Sequence, residues 1–175
     1  MLQLSKTVQL IFEQGLKRHL MNIYTLEVFI IAGPVSDKFA KKNPIMSRTI
    51  EIRGDQTLAE LHKTIFKAFN RFDDHLYEFQ IGGKGPNDPK ARRYSFSSTD
   101  DEVIGGKLAG DVKETIMDNL KLKKDAAFGY WFDFGDDWWH QINMIAIENK
   151  PAKGKYPKIA NRVGQSPPQY MEMDD

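Results

Sequence analysis

From Tyr24 to Ala32 the chain reads YTLEVFIIA, and Tyr24, Leu26, Val28 and Ile30 fall on one side of a two-residue period, with Thr25 and Glu27 on the other. That alternation predicts a strand with one buried face. RTIEI at 48–52 predicts a second short strand. Between them GPVSDKFAKKNP is punctuated by Gly33, Pro34 and Pro44 and predicts a loop. The period then changes. Leu58, Leu61, Ile65, Ala68, Phe69 and Phe72 form an apolar stripe at helical spacing, and Thr57 with Glu60 supplies a capping box at its start. His62 flanks the stripe, which predicts a packed, hydrogen-bonded histidine rather than a ligand.

HLYEFQIGG predicts a third strand ended by paired glycines. GGKGPNDPKARR at 82–93 predicts a mobile, solvated loop. It is no phosphate loop, because no strand-glycine-lysine-helix order follows and Pro86 and Pro89 block a helix. YSFSS predicts a further short strand, and Asp111 with Glu114 a modest helix ending near Leu120. The tail NKPAKGKYPKIANRVGQSPPQYMEMDD holds four prolines and predicts irregular chain wrapping the surface. At the other end, Val8, Ile11, Phe12, Leu16 and Leu20 lie near helical spacing. Residues 1–21 are therefore expected to be an N-terminal helix, or a loosely held extension if Met21 is the native start. Residues 22–175 are expected to form a single α+β domain with a proline-rich tail.

The densest aromatic pattern comes late, in FGYWFDFGDDWWHQINMIAIE. Phe128, Tyr130, Phe132 and Phe134 alternate onto one strand face, leaving Trp131 and Asp133 on the other. After the turn, Trp138, His140, Ile142, Met144 and Ala146 share a face opposite Trp139, Gln141 and Asn143. A one-residue slip flips every side chain, so loop length decides which faces meet. A three-residue GDD loop pairs Phe134 with Trp138 and Phe132 with His140, which gathers the apolar residues on one face. A four-residue loop would align Gln141 and Asn143 with the aromatics instead. The odd loop is expected. It buries His140 among aromatics, sends Asp133 outward beside Trp139, and leaves Asp136 and Asp137 in the turn. Gly135 is expected to supply the positive φ that reverses the chain.

Two chemistries compete for this hairpin. Trp131, Asp133 and Trp139 are candidate binding residues on its outer face, since paired exposed tryptophans are uncommon without a partner. The alternative is a metal-dependent hydrolase or nuclease using Asp133, Asp136 and His140, whose oxygen-rich ligands suit Mg²⁺ or Mn²⁺. The expected register divides those ligands between two faces. Asp73, Asp74 and His75, at the helix end, are the best remote completions, and Asp100, Asp101 and Glu102 read as a solvated acidic loop. The leading assignment therefore has no catalytic residue, no metal and no cofactor.

Composition narrows the rest. The 175 residues carry 25 Lys+Arg against 24 Asp+Glu, a net charge of +1, without the basic surplus of dedicated nucleic-acid domains. Direct nucleic-acid binding is thus weakly supported. The absence of cysteine excludes disulfides, thiolate metal sites and a cysteine nucleophile, and fits a reducing cytoplasm. The longest apolar run, VFIIA, is far short of the roughly 20 residues of a membrane span, so no membrane role is expected. Neither G-x-S-x-G nor H-E-x-x-H occurs, and His19, His62, His75 and His140 are scattered.

Three blocks, TLAELHKTIFKAFNRFDDHLYEFQIGG, FGYWFDFGDDWWHQI and YPKIANRVGQSPPQY, together resemble the plasmid open-reading-frame-three-like family, first named from a Ri plasmid and also met as a passenger of insertion elements. Thr57, Leu58, Leu61 and His62 match its helix, and His75, Leu76 and Phe79 the following strand. Tyr130, Asp133, Phe134, Gly135, Asp136, Trp138 and His140 match its hairpin, with Phe132 replacing a tyrosine. Asn70 and Arg71 stand where many members have Gly-Trp. QSPPQY lacks the cysteine and acidic residues of the usual tail, so that tail is assigned no catalysis. The resemblance implies an α+β fold and an association with mobile elements, and no established reaction. The expected architecture is a mixed β-sheet with a helix packed across one face, β-grasp-like in its ββαβ start, with the aromatic hairpin added late. The expected function is a non-catalytic cytoplasmic binding or accessory protein, with a protein or nucleoprotein partner engaged through the hairpin face.

Overall fold

The computed structural model describes residues 20–96 and 107–170. Most of the expected N-terminal helix, His19 and the acidic run at 100–102 lie outside the described residues. Leu20 and Met21 already belong to the first strand. β1 (Leu20–Ala32) pairs antiparallel with β2 (Ser47–Arg53), setting Tyr24 opposite Ile52 and Leu26 opposite Ile50. All four are buried, as the alternation requires.

The loop expected between these strands contains a short helix, α1 (Asp37–Lys42), capped by Ser36, whose Oγ accepts from Phe39 N at 3.3 Å. Pro34 and Pro44 fall outside it, so they bound the helix without interrupting it. α2 (Leu58–Ala68) starts with the capping box complete. Thr57 Oγ1 accepts from Glu60 N at 3.2 Å, and Glu60 Oε2 accepts from Thr57 N at 2.8 Å. Leu58, Leu61, His62, Ile65 and Ala68 are buried against the sheet. Asn70 takes a φ of 55° and turns the chain away, so Phe72, in phase with the stripe by sequence, is 73% exposed.

Eight strands form one sheet in the order β5-β4-β3-β6-β7-β1-β2-β8. The remaining strands are β3 (Tyr77–Ile81), β4 (Arg92–Ser95), β5 (Gly110–Asp111), β6 (Ala127–Phe132), β7 (Trp138–Pro151) and β8 (Lys158–Val163). Every neighbouring pair is antiparallel except β4–β5, which makes the sheet mixed. With α2 packed across one face, the fold is α+β and largely sheet. The ββαβ start is present, but β3 does not lie beside β1. The late hairpin β6–β7 enters between them. β6 is suited to that central place because Tyr130, Trp131 and Phe132 are apolar on both faces and all buried.

Three other segments depart from expectation. The tail is not wholly irregular: β8 pairs with β2 as an edge strand whose residues are mostly exposed, so no hydrophobic alternation announces it. The helix expected up to Leu120 is a turn followed by a single 3₁₀ turn, Met117–Leu120, ended by Lys121 in a left-handed conformation. The 82–91 loop is solvated as expected, but it is also tied to β3 and braced by Asp88. Asn87 N donates to Gln80 Oε1 at 2.8 Å, and Asp88 accepts from Lys84 N and Lys90 N. Among the described residues no helix is long and apolar enough to cross a membrane.

Candidate functional site

The β6–β7 register pairs Tyr130 with His140, Trp131 with Trp139 and Phe132 with Trp138. The connecting loop therefore runs from Asp133 to Asp137. It is odd, as expected, but two residues longer. Parity alone keeps His140 on the core face, where it is 2% exposed, though its cross-strand partner is Tyr130 and not Phe132. The extra length is absorbed by two aspartates with left-handed backbones, Asp133 (φ 55°) and Asp137 (φ 54°), while Gly135 has no positive φ. Aspartate tolerates this conformation because its short side chain bonds nearby backbone. Asp133 Oδ1 accepts from Gly135 N at 3.2 Å and Asp136 N at 3.3 Å, and Asp137 N donates to Asp133 O at 2.8 Å. Phe134 leaves the strand and stacks on Trp131 with ring centroids 4.0 Å apart, so it does not join the core face opposite Trp138.

On the outer face Trp131 and Trp139 stack at 4.7 Å with their rings 8° from parallel. They are paired as expected but not exposed: each retains only 7% of its surface. Trp131 Nε1 donates to Asp137 Oδ1 at 2.9 Å, which fixes the outer stack to the turn. Asp133 does not accompany them. It is 6% exposed and turns beneath the loop toward His75, whose Nε2 lies 3.5 Å from Asp133 Oδ2.

A cleft of about 80 Å³ opens beside Trp139, between Ile31, Gln80, Gln141 and the loop at 83–86. Its floor is Gly129, where an added Cβ would touch only Gln80, at an ordinary 3.6 Å. A shallower groove continues past Phe29 to Pro44, Ile45 and Met46, and Ile31 and Gln141 belong to both. Ile31 and Ile45 are 49% and 55% exposed.

The titratable groups gather on the other side, around the end of α2. His62 stacks flat on Tyr77 with ring centroids 3.6 Å apart, and its Nδ1 lies 2.8 Å from Tyr130 OH. Burial pushes its pKa down to about 4, against the pull of Asp74, whose Oδ1 is 3.3 Å from Nε2. Tyr170 OH donates to Asp73 Oδ2 at 2.6 Å and lies 2.9 Å from His75 Nε2. That bond to Asp73 is the main reason the Tyr170 pKa is pushed up to about 12. His75 thus does reach the hairpin, and it meets Asp133. His140 stays apart in the core, its pKa pushed down to about 3 by burial and then by the charge of Arg71. Among the described residues, no three or more His, Asp or Glu side chains are arranged to hold a metal ion.

Three residues of this region were given no role by sequence: Arg71, noted only as a departure from the family pattern, and Gln169 and Tyr170 of the tail. Gln169 Oε1 accepts from Phe72 N and Asp73 N, its Nε2 donates to Asp73 O, and its carbonyl accepts from Trp138 Nε1 at 3.2 Å. The segment from Ser166 to Tyr170 is thereby strapped across the end of α2. Pro167 and Pro168 predispose it to an extended course. Nothing in the local sequence names its target.

Residues 38–172 match the profile of the family described as plasmid pRiA4b ORF-3-like protein. An uncharacterized protein of Sinorhizobium fredii, y4hQ, is 27% identical over 127 residues, which is 72% of this chain and 59% of that protein. The chain thus spans about three fifths of that relative's length. The crystal structure of a protein of unknown function from Methanosarcina mazei Go1 superposes with a TM-score of 0.61 at 23% identity, covering 81% of this chain and 70% of the other. That likeness concerns the fold alone.

Proposed function

This chain belongs to the plasmid pRiA4b ORF-3-like family, and from its geometry we propose that it is a non-catalytic binding or accessory protein that engages a protein partner through the outer face of the β6–β7 hairpin. The observation that carries this reading is a pair of adjoining grooves that share Ile31 and Gln141 and lead from the 83–86 loop past Trp139 to Ile45. Both grooves are open and lined by the exposed Ile31 and Ile45, and Trp139 of the buried tryptophan stack gives the first a firm wall. An extended peptide segment of a partner suits such a shape better than a compact substrate does. An accessory role beside mobile elements, which the family resemblance implies, is compatible with this reading.

The hydrolase alternative asks Asp133, Asp136 and His140 to share one ion. Asp133 is engaged by the turn and faces His75, while His140 lies in the core under Phe69 and Tyr130. The binding reading is tested by affinity capture with the wild type and two groove variants, Ile31→Glu and Gly129→Leu. Ile31 is half exposed, and the Gly129 site has room for a Cβ, so both variants should melt like the wild type. The proposal expects a specific partner to be lost from both. Retention of the partner by both variants would refute it.

A further inference from the structure

Arg71 follows α2 with only 7% of its surface exposed. Its guanidinium lies 3.7 Å over the Trp138 ring, and Nη1 donates to Pro167 O at 3.2 Å. Nε and Nη2 find no hydrogen-bond partner among the described residues, and neither does Nδ1 of His140. Nor does Arg71 form an ion pair among them. Nε and Nη2 are the two parallel donors on one edge of the guanidinium, the edge that meets a carboxylate bidentately. A buried cation left unpaired carries a heavy desolvation penalty, and one small anion on that edge would satisfy both donors at once.

The surroundings favour negative charge in the ligand. Arg48 is 2% exposed and spends its hydrogen bonds on uncharged oxygens: the carbonyls of Ala68, Ser47, Val163 and Gly164, and Ser166 Oγ. Arg162 donates to the same Ala68 carbonyl. Arg48 and Arg71 therefore grip adjoining residues of the strap, Ser166 and Pro167. The carboxylate whose charge reaches Arg71 is that of Asp133. It is already occupied by the N–H groups of Gly135 and Asp136 and by His75.

We propose that Arg71 forms an internal binding site for a small monocarboxylate, of formate or acetate size, seated on its Nε–Nη2 edge beneath the Ser166–Tyr170 strap. This site lies on the core side of the sheet, and it stands or falls independently of the outer groove.

The test uses the full chain, titrated with sodium acetate and sodium formate against sodium chloride at constant ionic strength. Two readouts apply: the melting temperature, and the ¹H–¹⁵N signal of the Trp138 indole, which lies against Arg71. The proposal expects a saturable rise in Tm and a saturable Trp138 shift with the carboxylates and not with chloride. In Arg71→Lys, which keeps the charge but loses the two-donor edge, apparent affinity should fall at least tenfold. The wild-type Trp138 signal remains decisive if that variant fails to fold. An unmoved Trp138 signal, an equal response to chloride, or undiminished affinity in a folded Arg71→Lys would each overturn the proposal. So would a high-resolution structure in acetate showing only water at the guanidinium edge.

Discussion

Lowering the pH from 7 to 5 should cost this fold a large share of its stability, through two histidines. His62 and His140 are buried and held neutral, with pKa values pushed down to about 4 and about 3. In the unfolded chain both return to about 6.5. Below that value the unfolded state therefore takes up protons that the native state refuses, and stability falls as the pH falls. The loss begins near pH 6.5 and continues for each group until its folded pKa is reached. Between pH 7 and 5 each histidine withdraws about 2 kcal/mol, some 4 kcal/mol together, by proton linkage. Small domains have about 5–15 kcal/mol to lose. Carboxylates ordinarily titrate near pH 4, so this window belongs mainly to the histidines. Urea unfolding at pH 7, 6 and 5 measures the loss directly. His62→Gln, which keeps a polar group near Tyr130 OH but does not titrate, should reduce the loss to about 2 kcal/mol. A stability unchanged between pH 7 and 5, or a loss equally steep in His62→Gln, would refute the assignment of these histidines as neutral core residues.

Removing the α2 cap by Thr57→Ala should cost about 1 kcal/mol in a thermal or urea melt, since it takes the side-chain acceptor from Glu60 N and leaves it only the Thr57 carbonyl. Gly33 has a φ of 150° and an added Cβ would overlap the Trp138 ring, so Gly33→Ala should destabilise by about 1–3 kcal/mol. Gly135→Ala, by contrast, should stay within about 0.5 kcal/mol of wild type, because only Asp133 Oδ1 lies near its Cβ position, at 3.4 Å. Millimolar Mg²⁺, Mn²⁺, Ca²⁺ or Zn²⁺ should leave the melting temperature unmoved. A catalytic metal at a hundredfold excess over Kd would instead stabilise by about 2.7 kcal/mol, and a rise that vanishes in Asp133→Asn would restore the hydrolase reading.

What was legible in the sequence is what period and local chemistry determine. The α2 start could be read because Thr57 and Glu60 complete their bonds within one turn. The face of His140 could be read because a two-residue period needs only the parity of the loop, and three residues or five give the same answer. The loop length could not, because glycine is the usual signal for a left-handed backbone and here Asp133 and Asp137 adopt it. Phe134 and the outward placement of Asp133 were lost with it. β8 was hidden for another reason: as an exposed edge strand it needs backbone pairing with β2 and little burial. The cluster at the end of α2 depends on contacts distant along the chain. Arg71 is covered by Pro167, 96 positions later, and His75 meets Asp133 only because β3 and β6 are neighbours. No window of local sequence contains such a contact.

The most direct test of the account separates the outer groove from the acidic turn. A partner recovered by capture would be titrated against the wild type, Ile31→Glu and Asp133→Asn, each first shown to unfold cooperatively. The account predicts a Kd at least tenfold weaker for Ile31→Glu, because the charge enters the apolar groove, and an unchanged Kd for Asp133→Asn, because asparagine retains both the turn geometry and a side-chain acceptor. Unchanged affinity in Ile31→Glu together with loss in Asp133→Asn would contradict it and move the functional surface to the Asp133–His75 side of the sheet.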